Sequence, residues 1–313
     1  MEDLYNRKIT YARLSVTDLC NFRCIYCMGE SGVVKKPHSE MLSLEDYLLV
    51  IDALADLGVT KIRLTGGEPL LKRGLLTLAE HIGKSPRVKD FGITTNGVLL
   101  PTFAVSLKDA GVKTVNISLD SLNTNTFEKI TRGGKLTDVL KGLEAAKAAG
   151  FDEIKINCVI MRNVNDSEIK DYARFAKENG VTVRFIEMMP FASQCVKQVG
   201  LFISAEEILT ALDNPPHLKS DGVAEIYDAD GAHIGLITSV SHKFCDRCNK
   251  VRISADGMLL PCLLQSGETD LKPFISDGPA LRAAIEAAVK TKPRAQRLDE
   301  NILQNRDMNR IGG

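Results

Sequence analysis

Apolar positions along the first two-thirds of the chain recur with two alternating periods. Short runs rich in β-branched residues read as strands at Ala12–Val16, Lys61–Thr65, Asp90–Thr94, Thr114–Ser118, Ile154–Ile160 and Thr182–Ile186. Longer stretches with helical spacing lie between them at Ser43–Leu57, Arg73–Gly83, Thr102–Ala110, Thr137–Ala149 and Asp166–Asn179. Around the fourth of these, Leu136, Leu140, Leu143 and Ala146 mark one face and Gly150 supplies the stop. Strand–helix alternation predicts an α/β fold with a parallel sheet and helices packed outside it. Six such units predict a partial (βα)6 TIM-like barrel rather than a complete eight-fold one. From about Leu201 the pattern changes to short strand-like runs at Ala224–Tyr227, His233–Ile237 and Val251–Ser254. A helix at Pro279–Lys290 and a polar tail, Lys292–Gly313, follow. The expected division is a barrel over 1–200 and a C-terminal region over 201–313.

The polar residues inside these strands also alternate. Arg13, Ser15 and Thr17 interleave with Ala12, Leu14 and Val16, Arg63 and Thr65 with Ile62 and Leu64, and Lys155 and Asn157 with Ile154 and Ile156. If the apolar faces pack on helices, the charged faces point into the barrel. Buried cations are costly without an anion or water beside them, so the pattern predicts a polar lumen that receives an anionic ligand. The alternative is that these cations sit near strand ends and reach solvent.

Composition narrows the class. The 313 residues are 44% hydrophobic and 26% charged, with 40 basic and 40 acidic groups in balance. The apolar share excludes intrinsic disorder. Zero net charge argues against a protein that holds nucleic acid through a basic surface. Met1–Thr10 is charged and lacks an apolar core segment, so no signal peptide is expected, and no stretch approaches a membrane span. The expectation is a soluble, cytoplasmic protein without membrane or nucleic-acid partners.

Six of the eight cysteines fall in two groups of three, Cys20, Cys24, Cys27 and Cys245, Cys248, Cys262, while Cys158 and Cys195 stand alone. Clustered thiols in a reducing compartment more often bind metal or do redox chemistry than pair with each other. Three thiolates on a four-coordinate centre leave one position open for chemistry. Cys20-x3-Cys24-x2-Cys27 follows the first strand, at the end where barrels keep their active sites. Three such thiolates can hold three irons of a four-iron cluster and leave the fourth for substrate. A zinc knuckle completed by a distant His38 is the bland alternative. Thr65-Gly66-Gly67-Glu68-Pro69 follows the second strand, and its glycines would let backbone amides approach a ligand. At the second group, His242-x2-Cys245-x2-Cys248-x13-Cys262 would satisfy a Cys3His zinc site on spacing alone. Cys158 reads as a core residue, Cys195 has no assignable role, and Gly83-Lys84-Ser85 reads as a helix terminus rather than a phosphate loop.

CxxxCxxC with an aromatic before the last cysteine, followed by GGEP after the next strand, resembles the radical S-adenosylmethionine superfamily. Further segments fit one subfamily: Leu14-Ser-Val-Thr-Asp-Leu-Cys-Asn-Phe-Arg-Cys24, Ile62-Arg-Leu-Thr-Gly-Gly-Glu-Pro69, Thr94-Thr-Asn-Gly97, Asn116-Ile-Ser-Leu-Asp120, Phe185-Ile-Glu-Met-Met189, Phe244-Cys-x2-Cys-Asn-Lys-Val-Arg252-x9-Cys262 and the terminal Gly-Gly. From about Arg13 to Gly313 the chain resembles the GTP 3′,8-cyclase family of molybdenum cofactor biosynthesis. The resemblance implies a lyase that uses two [4Fe–4S] clusters and S-adenosylmethionine to cyclise GTP. An electron from the first cluster cleaves the sulfonium to methionine and a 5′-deoxyadenosyl radical, which removes the ribose 3′ hydrogen so that C3′ attacks guanine C8.

Carried over by position, the resemblance gives the first cluster Cys20, Cys24 and Cys27, and the second Cys245, Cys248 and Cys262. It places Tyr26, Gly67, Ser118 and Met189 on S-adenosylmethionine, and Arg13, Arg63, Thr94, Lys155, Lys250, Val251 and Arg252 on GTP. Arg252, Gly312 and Gly313 are candidates for a part in catalysis, with the tail inserted toward the active site. Two positions depart from the family. Lys250 stands where arginine is usual, keeping the charge without the planar fork, and Leu19 replaces a commonly basic residue. The implied partners are GTP, an electron donor and a cyclic pyranopterin monophosphate synthase that takes the product, and the chain could pair as a homodimer. The rivals are another two-cluster radical enzyme acting on a peptide or different nucleotide, and a zinc-stabilised binding module without turnover.

Overall fold

Sequence order becomes spatial order across the middle of the sheet. In the computed structural model, which describes residues 1–33, 36–189, 200–265, 267–296 and 308–312, strands β1 (Tyr11–Ser15), β2 (Lys61–Thr65), β3 (Asp90–Thr95), β4 (Thr114–Ser118), β5 (Glu153–Ile160) and β6 (Thr182–Glu187) pair successively and all parallel. Helices α1 (Leu44–Asp56), α2 (Leu75–Lys84), α3 (Leu100–Asp109), α4 (Thr124–Thr131), α5 (Leu136–Ala149) and α6 (Ile169–Asn179) return the chain between them. Parallel neighbours require such crossovers. Their boundaries follow local chemistry. Ser43 and Asp46 form a reciprocal cap at the start of α1, and Gly150 and Gly180 end α5 and α6 in the left-handed conformation.

The C-terminal region widens both edges of this arc. β9 (Ala232–Ile237) lies parallel to β6, and β10 (Lys250–Ile253) lies parallel to β1. β8 (Ala224–Ala229) and β7 (His217–Asp221) continue antiparallel from β9, while β11 (Met258–Leu260) and β12 (Thr269–Asp270) continue from β10. Helices α7 (Ala205–Ala211), α8 (Gly278–Lys290) and α9 (Met308–Ile311) complete the described chain. The six-unit partial barrel read from the sequence is therefore present, with two more parallel strands added from the C-terminal region.

The helix-facing residues of the strands, including Leu14, Ile62, Leu64, Ile93, Val115, Ile117, Ile156 and Val183, are all buried under α-helical residues such as Ile51, Leu54, Leu78, Leu107 and Tyr172. Each such side chain contributes roughly 1.5–3 kcal/mol by leaving water. Cys158 belongs to this core, as its apolar surroundings in the sequence suggest. Gly83 and Lys84 fall in the last turn of α2 and Ser85 caps it, which bears out the helix-terminus reading. No helix among the described residues is long and apolar enough to cross a membrane.

Candidate active site

The loop after β1 is seated on the glycine pair after β2. Gly67 N donates to Thr17 O at 2.8 Å and Glu68 N to Leu19 O at 2.8 Å. A Cβ on Gly66 would overlap the Thr17 carbonyl oxygen, and one on Gly67 would overlap that of Leu19. Gly66 also holds φ at +148°, open to glycine and strained for other residues. The Gly67 and Glu68 amides are thus occupied within the chain. Their role is to fix the segment that carries Cys20. The Leu19 side chain itself is exposed.

Buried Glu68 ties that loop to β3. Its carboxylate accepts from Leu70 N at 3.0 Å, Thr95 Oγ1 at 2.8 Å and Asn96 N at 2.7 Å. Burial pushes its pKa up to about 7 against these three donors. Asn96 Nδ2 donates to Asn21 Oδ1 at 2.6 Å and reaches Cys20 Sγ at 4.0 Å, while Phe22 N lies 3.3 Å from the same sulfur. On the far side, Arg23 N and Ile25 N donate to Thr131 O and Ile130 O at the end of α4. Arg132 Nη1 holds the carbonyls of Arg23 and Met28 at 3.1 and 2.9 Å.

None of the three thiols gathered by this loop is in a disulfide. Burial raises Cys24 well above an ordinary thiol, and Asp120, Cys27 and Cys20 add like charge to it. Cys20 is pushed up to about 11, again chiefly by burial. Thiols that crowd one another in a dry setting become thiolates readily only beside a positive centre. Each sulfur of a four-iron cluster bonds its own iron, whereas donors of a zinc ion converge at about 2.0–2.3 Å from one point. Among the described residues no three His, Cys, Asp or Glu side chains converge as on a single metal ion. The three-thiol donor set fits a cluster, and His38 is exposed.

Around this loop stand the residues assigned by resemblance to S-adenosylmethionine. Tyr26 Oη donates to Asp120 Oδ2 at 2.7 Å, and Asp120 Oδ1 accepts from Val159 N at 2.8 Å. Ser118 is half-buried at the C-terminal end of β4. Leu260, Leu264, Met308 and Ile311 form a small buried apolar cluster with Met189, Cys27 and Cys262 packed against it. One apolar patch therefore carries a thiol from each group.

The second thiol group is clamped from two sides. Arg7 donates to Cys245 O at 2.8 Å and Pro293 O at 2.6 Å, and its own partner is Asp3. Lys292, 4% exposed, donates to Lys250 O at 2.8 Å and Pro261 O at 2.6 Å. It thereby joins the segments that bear Cys248 and Cys262. Burial would raise the Cys248 thiol, but Lys292 and a backbone hydrogen bond from Lys250 bring it below the ordinary value. His242, on an exposed loop, contacts Glu206 at 3.3 Å and Ser241 at 3.2 Å. The histidine required by the Cys3His zinc reading is thus engaged elsewhere.

The inward-facing cations are buried as the alternation predicts: Arg13 is 9%, Arg63 4% and Lys155 6% exposed. In-register pairing aligns Arg13 with Arg63 on β2 and with Arg252 on β10. Arg63 crosses above Gly92, where a Cβ would lie 2.8 Å from its guanidinium, and donates to Ile93 O at 3.0 Å and Thr114 Oγ1 at 2.8 Å. Burial and neighbouring cations lower Lys250 to about 8 and Arg252 to about 9. Val251 packs in the helix-side core, leaving only its backbone for the lumen. Arg252 donates to the Gly312 and Ile311 carbonyls, Gly312 rests on Thr65, and Asn309 Nδ2 donates to Asp18 O at 2.8 Å. The tail is therefore in the site. Gly313 and Cys195 lie outside the described residues.

Two features refine the expectation of an anionic ligand. The chain supplies some counter-charge itself, because Lys155 pairs with Asp221 at 2.9 Å and with Glu153, and Arg184 pairs with Asp221. Yet Thr94 Oγ1, Asn116 Oδ1, Asn157 Oδ1 and Arg184 Nε, on β3 to β6, are buried without a hydrogen-bond partner among the described residues. Each orphaned polar atom costs about 1–3 kcal/mol, so a row of four marks a cradle for a polar ligand. Sequence reasoning named Thr94 but missed Arg184, which shares its alternation with Ile186 and could have been found. It also missed Asp221, on a polar edge hairpin without an apolar signal.

Comparison with known proteins places this geometry. A radical SAM superfamily model matches residues 14–176, and a Molybdenum Cofactor Synthesis C model matches residues 181–298. The chain is a radical S-adenosylmethionine protein, a class that implies a [4Fe–4S] cluster and S-adenosylmethionine. Its fold resembles that of Streptococcus suis SuiB bound to precursor peptide SuiA, with a TM-score of 0.61 at 16% identity, over 90% of this chain and 67% of that one. It is 42% identical to the GTP 3′,8-cyclase of Thermodesulfovibrio yellowstonii and 43% identical to that of Desulforamulus reducens, over 100% of each chain. The chain belongs to the GTP 3′,8-cyclase family.

Proposed function

We propose that this protein converts GTP to (8S)-3′,8-cyclo-7,8-dihydroguanosine 5′-triphosphate with release of 5′-deoxyadenosine and methionine, the first step of molybdenum cofactor biosynthesis. The observation that carries the reading is the buried cation wall with unpartnered polar atoms on four successive strands, flanked by two groups of three cysteines that form no disulfide. Cys20, Cys24 and Cys27 would hold a [4Fe–4S] cluster, which would supply the electron for cleaving the S-adenosylmethionine sulfonium bond. Cys245, Cys248 and Cys262 would hold a second cluster. The reading assigns the two roles to either side of about residue 200, the first thiol group to 1–200 and the second to 201–313.

The remaining work belongs to side chains. Arg13, Arg63, Lys155 and Arg252 offer charge to the triphosphate, and the Thr94 hydroxyl offers a buried polar contact. Lys250 offers charge without arginine's bidentate fork. Val251 contributes through its backbone. Tyr26, oriented by Asp120, together with Gly67, Ser118 and Met189, positions S-adenosylmethionine. Since the Gly67 N–H is taken by Thr17, its contact comes from the carbonyl. The apolar patch around Ile311 keeps water from the space between the thiol groups. An electron donor on one side of the cycle and a cyclic pyranopterin monophosphate synthase on the other complete the set of partners, and a homodimer is compatible with it.

Equilibrium binding of GTP to anaerobic, iron-loaded protein tests the assignment. Thr94→Ala should weaken binding by about 5- to 10-fold, the range expected for one buried hydrogen bond. Unchanged affinity in Thr94→Ala and Arg63→Ala alike would remove GTP from this wall.

A further inference from the structure

The reading above leaves one buried acid among the cations without a role. Tyr11 opens β1 and is 6% exposed. Arg63 Nε donates to its Oη at 3.0 Å, and Arg13 Nη1 reaches the same oxygen at 3.4 Å. The ammonium groups of Lys61 and Lys250 each lie 5.3 Å from the ring centroid. These lysines are the in-register neighbours of Tyr11 on β2 and β10, so strand pairing itself builds the cluster. Among the described residues no group accepts the phenol's own proton. Beyond this ring of four, Asp90 pairs with Lys61, while Arg252 adds positive charge near Arg13 and Arg184 near Arg63. An oxygen that receives two guanidinium groups and offers no visible path for its proton is placed to be an anion.

We propose that Tyr11 is a positioning residue for the triphosphate: as tyrosinate it holds Arg13 and Arg63 in register, and when the polyphosphate takes over these guanidinium groups the phenolate oxygen accepts one proton from solvent. The proposal rests on the GTP reading of the site. Its electrostatics agree, since burial alone would raise the phenol, yet Arg63, Arg13, Lys250 and Lys61 together bring it down to about 6. A polyphosphate beside the same cations cancels that pull and the phenol regains its proton. The sign follows: above pH about 6 the bound state carries more protons than the free state. Triphosphate affinity therefore falls with rising pH, by up to about tenfold per unit from this one group.

The test uses anaerobic, iron-loaded protein with inorganic triphosphate, which is transparent in the ultraviolet. The chain has 6 tyrosines and no tryptophan, so a tyrosinate difference band can be assigned once cluster absorbance cancels between samples with and without triphosphate. At pH 8 the wild type should lose a band equivalent to one tyrosinate on binding. Tyr11→Phe, which keeps the ring over the lysines, should bind triphosphate without that change and with a shallower pH dependence between pH 7 and 9. Against its burial, Tyr11 itself raises the Lys250 ammonium, so the slope reports the coupled pair and loss of the tyrosinate band isolates Tyr11. Triphosphate binding by the wild type without loss of the band would overturn the proposal alone, as would an unchanged band and slope in Tyr11→Phe. Failure of the wild type to bind triphosphate at all would overturn the proposal together with the reading beneath it.

Discussion

Gly312→Ala addresses the C-terminal tail through a single methyl group. Gly312 holds φ at +72°, and a Cβ there would overlap the Thr65 Cγ2 methyl. Left-handed backbone costs an L-residue about 1–2 kcal/mol, and inserting a methyl into a filled space costs about 1–3 kcal/mol. Because the substitution lies past α9, the combined cost of about 2–5 kcal/mol falls on docking of the tail rather than on the barrel. The docking constant should drop by roughly 30-fold or more, and Arg252 loses the carbonyl it holds. The assay is anaerobic turnover, with cyclised GTP and 5′-deoxyadenosine read by mass spectrometry beside iron content and melting temperature. The expected result is at least tenfold less cyclised GTP, with iron, melting temperature and deoxyadenosine formation near wild type. Adding Thr65→Ser removes the opposed methyl and should recover part of the loss, leaving the backbone cost. Full cyclisation by Gly312→Ala would refute the placement of the tail in the site, and loss of iron would show instead that the tail holds the fold.

Other perturbations separate the remaining roles. Burial would raise Asp221, but Lys155 and Arg184 hold it at about 2, so its stabilising contribution is complete above the ordinary carboxylate pKa and is lost as pH falls from about 4 to 2. The urea midpoint of the wild type should fall more steeply through that window than that of Asp221→Asn, and parallel curves would contradict the pairing. Cys248→Ala should cut iron from about eight to about four per chain, whereas His242→Ala should leave it unchanged. Iron loss in His242→Ala would revive the histidine-ligated reading.

Most of the barrel was legible because its strands are buried on both faces yet keep chemically distinct sides. In β1 the helix side is Ala12 and Leu14 while the lumen side is Arg13 and Ser15, and the same period placed Arg63 and Lys155 inside. The misses share physical causes. β7, His217–Asp221, is polar and exposed, so no apolar alternation announced it, and its carboxylate partner for Lys155 was hidden with it. α4 has few apolar residues, Phe127 and Ile130, and depends on Asn123 as its cap. β9 and β10 could be read as strands, but their parallel addition to opposite edges is a long-range fact that local pattern does not hold. The cysteine spacing gave both thiol groups. It could not give Lys292 or Arg7, which are distant in sequence and reach those segments through backbone carbonyls and through their charge on the thiols. Tyr11 lies just before the strand read from the sequence at Ala12–Val16, and nothing singles it out until pairing sets four cations around it.

The most direct test of the central claim is anaerobic incubation of iron-reconstituted protein with S-adenosylmethionine and dithionite, with and without GTP, followed by mass spectrometry. The account predicts 5′-deoxyadenosine together with 3′,8-cyclised GTP, the second only when GTP is supplied. Deoxyadenosine beside unaltered GTP would contradict the substrate, and neither product from protein shown to carry iron would contradict the enzyme.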